Sequence, residues 1–234
     1  MRYPGGVGGV AGAVLVAGEL VRRPSTTRSD VAFYATSGSA AIVVALAIGV
    51  AVAMRLYPQD LVSGRGSYLR VARVSGGRHL VGSLARSGQD AALAVVVCAV
   101  VSLLAAQVLL DSRILPAGKP AWVALGPASA VADLVMLAWA VPAAWFVAAM
   151  AHVGAASGLS RPVVGFLAPA SPLLCGLLLD PFGVDLIDMM LQPSYWTTIV
   201  PAGWWSWAGG ALSWTAAALA AAAGAVAVGV VRER

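Results

Sequence analysis

Long apolar runs alternate with short polar stretches along the chain. Residues 121–153 form the longest run, which contains Pro127 and Pro142 but no polar turn. That pattern favours one tilted or kinked helix over two. A helix crosses the hydrocarbon core of a bilayer in about 20 residues. Four further runs are close to that length and cover residues 35–54, 91–110, 162–179 and 211–231. The pattern therefore predicts an all-α, polytopic membrane protein with at least five spanning helices.

Residues 5–21 form a weaker apolar segment that is rich in glycine. Glycine lowers helix propensity, but it also lets neighbouring helices approach closely. Two interpretations stay open. The segment is either a first, short spanning helix or an interfacial helix that lies along the membrane, with Glu19, Arg22 and Arg23 at its polar end. The total is accordingly five or six spanning helices.

A basic stretch at residues 55–90 orients the chain. It holds Arg55, Arg65, Arg70, Arg73, Arg78 and Arg86, which are six of the fifteen basic residues. An arginine at the bilayer centre costs on the order of 3 kcal/mol on insertion scales. The stretch must therefore lie outside the membrane, and the positive-inside bias predicts that it is a cytoplasmic loop.

Within this loop, residues 67–74 can form a short amphipathic helix. Arg70 and Arg73 share one face, and apolar side chains occupy another. Ser75-Gly76-Gly77 is expected to end this helix. Residues 78–90 then begin the helix that enters the bilayer.

Residues 180–210 are predicted to form an external loop. They contain three aspartates and no lysine or arginine. Tryptophan settles at headgroup depth, and four tryptophans here are predicted to form an interface belt: Trp196, Trp204, Trp205 and Trp207. With six spans, both termini are cytoplasmic, and Arg22 and Arg23 fall on the external side.

Composition supports the membrane assignment. Hydrophobic residues make up 60% of the 234 residues, mean hydropathy is +0.85, and charged residues are 11%. Ordinary soluble domains contain about 25% charged residues. The net charge of +5 comes from residues at the ends of apolar runs. Such placement indicates topology and contact with lipid headgroups and excludes a nucleic-acid-binding face.

Several kinds of catalytic and metal site are missing from the sequence. The single lysine, Lys119, is not followed by Ser or Thr, so it does not form a phosphate-binding loop. No HExxH motif and no polar loop of spaced aspartates is present. Cys98 and Cys175 lie in separate apolar runs without metal-ligand spacing. We therefore expect no enzyme activity, no metal and no cofactor in this chain.

Asp133 is the carboxylate that the pattern places near mid-membrane. Such a residue is a functional candidate. It could line a translocation path or bind a cationic substrate, couple transport to protons, or pair with a hydroxyl, backbone or partner-chain group at a helix interface. The sequence leaves these roles open.

The order of segments around the basic stretch resembles the membrane subunit of ABC-2 type transporters. In that family, an acidic residue and then a Glu-x-Gly-[Thr/Ser]-Leu-like stretch follow the second span. Asp60 and the stretch Arg65-Gly66-Ser67-Tyr68-Leu69 are similar to this pattern, with Arg65 in place of the usual glutamate. Heme-exporter B proteins show a weaker similarity in size and in the same stretch.

The resemblance implies a permease of the bacterial inner membrane, without ATP hydrolysis of its own. A separate cytoplasmic ABC ATPase, which holds ATP and Mg, would dock on a short coupling helix. A second permease chain, identical or similar, would complete the translocation path. The implied coupling residues are Asp60, Arg65, Gly66, Ser67, Tyr68, Leu69, Arg70, Arg73, Ser75 and Gly76. The alternative is a non-transporting membrane subunit that scaffolds or anchors a larger complex.

Overall fold

The structure, a computed structural model, describes residues 2–22, 39–56, 76–109, 129–179 and 205–233. These residues form helices and one tight turn, with no strand among them, so the all-α prediction is confirmed for this part of the chain. The helices are α1 (Arg2–Arg22), α2 (Ser39–Leu56), α3 (Gly76–Leu109), α4 (Ser129–Ala156), α5 (Arg161–Leu179) and α6 (Trp205–Glu233).

Helix α3 begins earlier than the predicted span. It is a single helix of 34 residues that includes positions 76–90 of the stretch predicted as a cytoplasmic loop. Gly76 and Gly77 lie in its first turn rather than before it. Leu80 and Leu84, four residues apart, are both buried. Their packing outweighs the low helix propensity of the glycines.

Helix α6 also begins earlier than predicted. The sequence predicts that residues 205–210 belong to the external loop, but they form the first turns of α6. Gly210 in these turns packs against the ring of Trp139, and Trp214 one turn later is fully buried. This packing on α4 extends the helix beyond the apolar run that predicted it.

Three stretches are long and apolar enough to cross a membrane within the part of the chain that the structure describes. They cover Arg78–Ser102, Ala138–Ala156 and Gly209–Val231. Three shorter apolar stretches cover Pro4–Gly18, Ile42–Arg55 and Arg161–Cys175. By length and composition, the chain is a helical membrane protein.

Helix α4 lies at the centre of the bundle and packs against α2, α3, α5 and α6. Its buried positions are mainly alanine, from Ala140 to Ala156, and small side chains let the surrounding helices approach its backbone. Gly49 of α2, for example, lies so close to the Ala144 carbonyl that a Cβ atom would overlap it. Helix α1 packs against α3 and α2.

The contacts show the direction of α1, α3 and α4. Gly8 of α1 lies against Ala94 of α3, and Gly12 lies against Cys98. From the first contact to the second, the residue numbers rise by four on both helices, so α1 and α3 are parallel. Ser83 of α3 contacts His152 of α4, while Gly88 contacts Trp145, so α3 and α4 are antiparallel.

Helices α5 and α6 continue the alternation. Gly210 and Gly224 of α6 lie against Trp139 and Val153 of α4, so these two helices are parallel. Val164 of α5 packs against Gly154, shortly before α4 ends, so α5 turns back. Met54, near the end of α2, lies next to Gly165 of α5. One end of the bundle therefore holds the last turns of α2, α4 and α6 and the first turns of α3 and α5. Helix α1 also begins at this end.

A tight turn joins α4 to α5. Gly158 has a φ of 83°, a left-handed conformation that glycine adopts without strain. The amide of Leu159 donates to the Gly154 carbonyl at 2.9 Å, and that of Gly158 donates to the Ala155 carbonyl at 2.9 Å. These two bonds form a Schellman motif, which ends α4. Ser160 then accepts from the Val164 amide at 3.0 Å as α5 begins.

Two prolines inside α5 remove backbone donors from it, at Pro169 and Pro172. Pro172 has no N–H to donate to the Ala168 carbonyl. The buried Ser171 hydroxyl donates to that carbonyl at 2.6 Å. In an apolar environment such a side-chain bond satisfies a carbonyl that the proline leaves without its helical partner.

Candidate functional site

Exposed arginines mark the end of the bundle at which α2 ends and α3 begins. Arg55 lies in the last turn of α2, Arg78 and Arg86 lie in the first turns of α3, and Arg161 is the first residue of α5. All four are exposed, and the alternating helix directions bring them to the same end. We call it the basic end.

The exposed face of α3 changes character along the helix. Arg78, Arg86 and Gln89 are exposed in its first part together with Val81, whereas from Leu93 to Leu104 the large exposed side chains are all apolar. Apolar side chains of this kind suit contact with lipid tails. The exposed polar side chains of α3 therefore end between Gln89 and Leu93, and about 20 Å of helix lies on the basic side of that point.

This first part of α3 is packed rather than free. Leu80 lies against Gly229 of α6 so closely that a Cβ atom on the glycine would overlap its side chain. Gly88 lies against the indole of Trp145, where an added Cβ would be 3.0 Å from Nε1. The same indole N–H donates to the Leu84 carbonyl at 3.3 Å. Three helices, α3, α4 and α6, thus form one packed unit at the basic end.

A histidine–serine pair lies inside this unit. His152 is fully buried near the end of α4, and its Nε2 is 2.8 Å from Oγ of Ser83 on α3. Its Nδ1 is 2.7 Å from the Ala148 carbonyl one turn earlier on α4. A carbonyl only accepts, so Nδ1 carries the proton and donates. In the neutral ring Nε2 is then an acceptor for the Ser83 hydroxyl. The bond joins α3 to α4 directly.

Arg161 joins α5 to α2. Its guanidinium donates to the backbone carbonyl of Met54 in the last turn of α2. Carbonyls in the last turn of a helix have no helical partner and carry partial negative charge, so a cation stabilises them. The α4–α5 turn that contains Gly158 places Arg161 where it reaches this helix end. The arginine therefore helps to fix α2 beside α5.

The predicted coupling residues fall mostly outside the described residues. These are Asp60, Arg65, Gly66, Ser67, Tyr68, Leu69, Arg70, Arg73 and Ser75. Gly76 is the first residue of α3. The predicted coupling stretch therefore leads directly into the helix that forms the basic end.

Asp133 and the predicted tryptophan belt can be placed only in part. Asp133 lies in the second turn of α4, where only the backbone is described. Trp205 and Trp207 lie in the first turn of α6. Trp196 and Trp204 lie outside the described residues. The belt therefore stays a prediction.

The sequence did not point to the Ser83–His152 pair as a functional feature. A histidine near the end of an apolar run marks the return to an aqueous phase as readily as it marks a buried contact. The available signal was the spacing His79, Ser83 and Ser87 on α3, which repeats polar residues every four positions on one helix face. Across the described ranges, no group of three or more His, Cys, Asp or Glu residues lies close enough to hold a metal ion.

Comparison with protein-family models, with curated proteins and with solved structures finds no match to this chain. The resemblance to ABC-2 permeases therefore stays a prediction that rests on the residues quoted for it.

Proposed function

We propose that this chain is the membrane-spanning permease subunit of an ATP-driven ABC-2 type exporter. The observation that supports the proposal best is the continuity of α3. One helix of 34 residues runs from the predicted coupling stretch, through the basic end, into the apolar part of the bundle. A force applied to its first turn is transmitted along the helix as a rigid body.

In this proposal the energy comes from a partner. A cytoplasmic ATPase holds ATP and Mg, and it docks on the coupling residues from Asp60 to Gly76. Closure of the ATPase pair moves that stretch together with α3. Because α3 packs against α4 and α6, the movement reaches the central helix. A second permease chain, identical or similar, supplies the other wall of the translocation path.

We propose six crossings, with the basic end in the cytoplasm of a bacterial cell. Helix α1 runs parallel to α3 along the Gly8–Ala94 and Gly12–Cys98 contacts. A helix that lies along the membrane surface does not run side by side with a spanning neighbour, so this geometry favours a spanning α1. The exposed arginines at the basic end follow the positive-inside bias.

The orientation predicts which residues an impermeant thiol reagent reaches. In a chain whose two cysteines are replaced by serine, Ser157→Cys in the exposed α4–α5 turn should react only from the cytoplasmic side. Arg113→Cys is the matched control. The short stretch 111–120, with Pro116, Gly118 and Pro120, is predicted from the sequence to be external, so this cysteine should react in intact cells. Labelling of Ser157→Cys in intact cells, before the membrane is opened, would show that the orientation is inverted.

The coupling proposal predicts that a soluble ATPase co-purifies with the chain from native membranes. Arg70→Glu combined with Arg73→Glu should lower its recovery at least tenfold, because charge reversal opposes a docking surface that accepts arginine. The two changes lie in the predicted coupling helix. Recovery is measured by quantitative mass spectrometry and by ATP hydrolysis in the eluate.

Arg113→Glu provides the control for the charge change. Residue 113 lies in the stretch 111–120, which is predicted to be external, so this change should leave recovery of the ATPase unchanged. Two results contradict the proposal. One is that no protein with a phosphate-binding loop is recovered with the unaltered chain, which would favour the scaffold or anchor subunit. The other is equal recovery with the double variant.

A further inference from the structure

We propose that α3 can occupy two positions on α4 that differ by one helical turn, and that His152 marks them by bonding to Ser83 in one and to Ser87 in the other. The structure shows the first position, in which Ser83 Oγ is 2.8 Å from His152 Nε2. The use of this step for transport rests on the proposed function, whereas the step itself does not.

The hydrogen bond between Ser83 and His152 is well suited to fix the position of α3 along α4. His152 is fully buried, and its Nδ1–H bond to the Ala148 carbonyl fixes the ring on its own helix. Nε2 then points at α3 as a single directional acceptor. In a membrane, two helices gain little from apolar contact alone, because lipid is also apolar. A directional bond can therefore decide between positions that pack about equally well.

Ser87 can replace Ser83 because it lies four residues later on the same face of α3. It is fully buried, and its hydroxyl donates to the Leu84 carbonyl of its own helix at 2.9 Å. A shift of α3 by four residues, about 6 Å toward its first turn, brings Ser87 to the place that Ser83 now occupies. Its hydroxyl can then exchange the Leu84 carbonyl for His152.

Other packed positions of α3 repeat with the same spacing. Leu84 would take the place of Leu80 against Gly229 of α6, so one leucine replaces another. On the face toward α1, small residues recur at Ala94, Cys98 and Ser102. The contacts with Gly8 and Gly12 of α1 would therefore again meet small side chains.

Not every position repeats. Ala92 would move to the place of Gly88, where a Cβ atom is 3.0 Å from Nε1 of Trp145. After the shift, Gly88 would stand where Leu84 is now buried, and a smaller side chain there loses packing contacts. The position that the structure shows is therefore the more stable one, and the shifted position is a minor state. Two discrete arrangements of one packed helix are the kind of element that a motor can drive.

The test measures a distance along the bundle in the full chain, reconstituted in lipid nanodiscs. Spin labels are placed at Leu104→Cys on α3 and at Ser157→Cys in the α4–α5 turn, both exposed, with Cys98 and Cys175 replaced by serine. The two labels lie about 40 Å apart along the bundle, from the rise per residue. A one-turn shift of α3 toward the basic end shortens this separation by about 6 Å.

We expect Ser83→Ala to raise the population at the shorter distance at least fivefold, because the observed position loses its bond and the shifted one keeps its own. Ser87→Ala should leave only the longer distance. Ser83→Thr retains the hydroxyl and should restore the distribution of the unaltered chain. Ser87→Ala and Ser83→Ala each remove one hydroxyl from the same face of α3, so they are matched controls for each other.

An unchanged distribution in Ser83→Ala overturns the proposal, and so does a broadened one without a peak at the shorter distance. Failure of the proposed function looks different. It appears as the absence of an ATPase among co-purified proteins and leaves the two distances in Ser83→Ala unaffected.

Discussion

Replacement of Trp214 by alanine is expected to lower the free energy of unfolding by about 3 kcal/mol, the lower end of the range for buried tryptophan. Trp214 is fully buried between α6 and α4, and its ring meets that of Phe146 edge to face, with centroids 5.7 Å apart. In a membrane protein the side chain moves between two apolar environments, so little hydrophobic transfer energy is lost. The expected loss comes from the cavity and from the missing ring contacts.

The measurement is equilibrium unfolding in mixed micelles, followed by far-ultraviolet circular dichroism. Leu212→Ala is the matched control, because Leu212 lies two residues earlier on the same helix and is 68% exposed, whereas Trp214 is 0% exposed. The control should change the free energy of unfolding by less than about 0.5 kcal/mol, as surface substitutions usually do. Equal losses in the two variants would contradict the packing of α6 on α4 through Trp214.

The helical class could be predicted from the sequence because it depends on runs of apolar residues. Each predicted apolar run from residue 35 onward overlaps a described helix. Helix ends were less predictable, since packing with distant residues decides them. Gly76 and Gly77 suggested a break, but Leu80 and Leu84 after them are buried, Leu80 against Gly229 about 150 residues later in the chain. The helix propensity of residues 76–84 gives no information about that long-range contact.

The basic end could also be foreseen in part. Arginines at the ends of apolar runs predict one more basic side, and Arg55, Arg78, Arg86 and Arg161 do lie at one end. Arg22, the last residue of α1, lies at the other end. The Ser83–His152 bond could not be foreseen, because it depends on which helices are neighbours and on their relative height. Hydropathy assigns His152 and Ser83 to separate segments, and it contains no information on how α3 and α4 pair.

Glycines lie at many of the close helix–helix contacts in this bundle. In α1, some glycines face a neighbouring helix and others face open space. Gly12 of α1 is in close contact with α3, because an added Cβ atom would be 2.5 Å from the Cys98 carbonyl oxygen. The Ser102 hydroxyl of α3 also donates to the Gly12 carbonyl at 3.3 Å. Neighbouring Gly5 and Gly9 have open space around them. The glycine-rich segment therefore combines a closely packed face with an open one.

Gly8→Ala is accordingly expected to lower the free energy of unfolding by about 2 kcal/mol, the middle of the range for overpacked sites. A Cβ atom at this position overlaps the backbone carbonyl of Ala94, which cannot rotate away as a side chain could. The helices must separate, and α1 then loses its contact with α3. The same unfolding measurement reports the loss.

Gly9→Ala is the matched control, because it makes the same chemical change one residue later on the same helix. No atom lies within 4 Å of the added Cβ at Gly9, and alanine raises helix propensity by roughly 0.5–1 kcal/mol over glycine. Gly9→Ala should therefore be neutral or slightly stabilising. A similar loss in both variants would contradict the close approach of Gly8 to α3 as the cause, because the higher helix propensity of alanine can only stabilise α1. A loss in Gly8→Ala alone requires α1 to run against α3 as the structure shows, and this arrangement is the one on which the proposal of a spanning α1 rests.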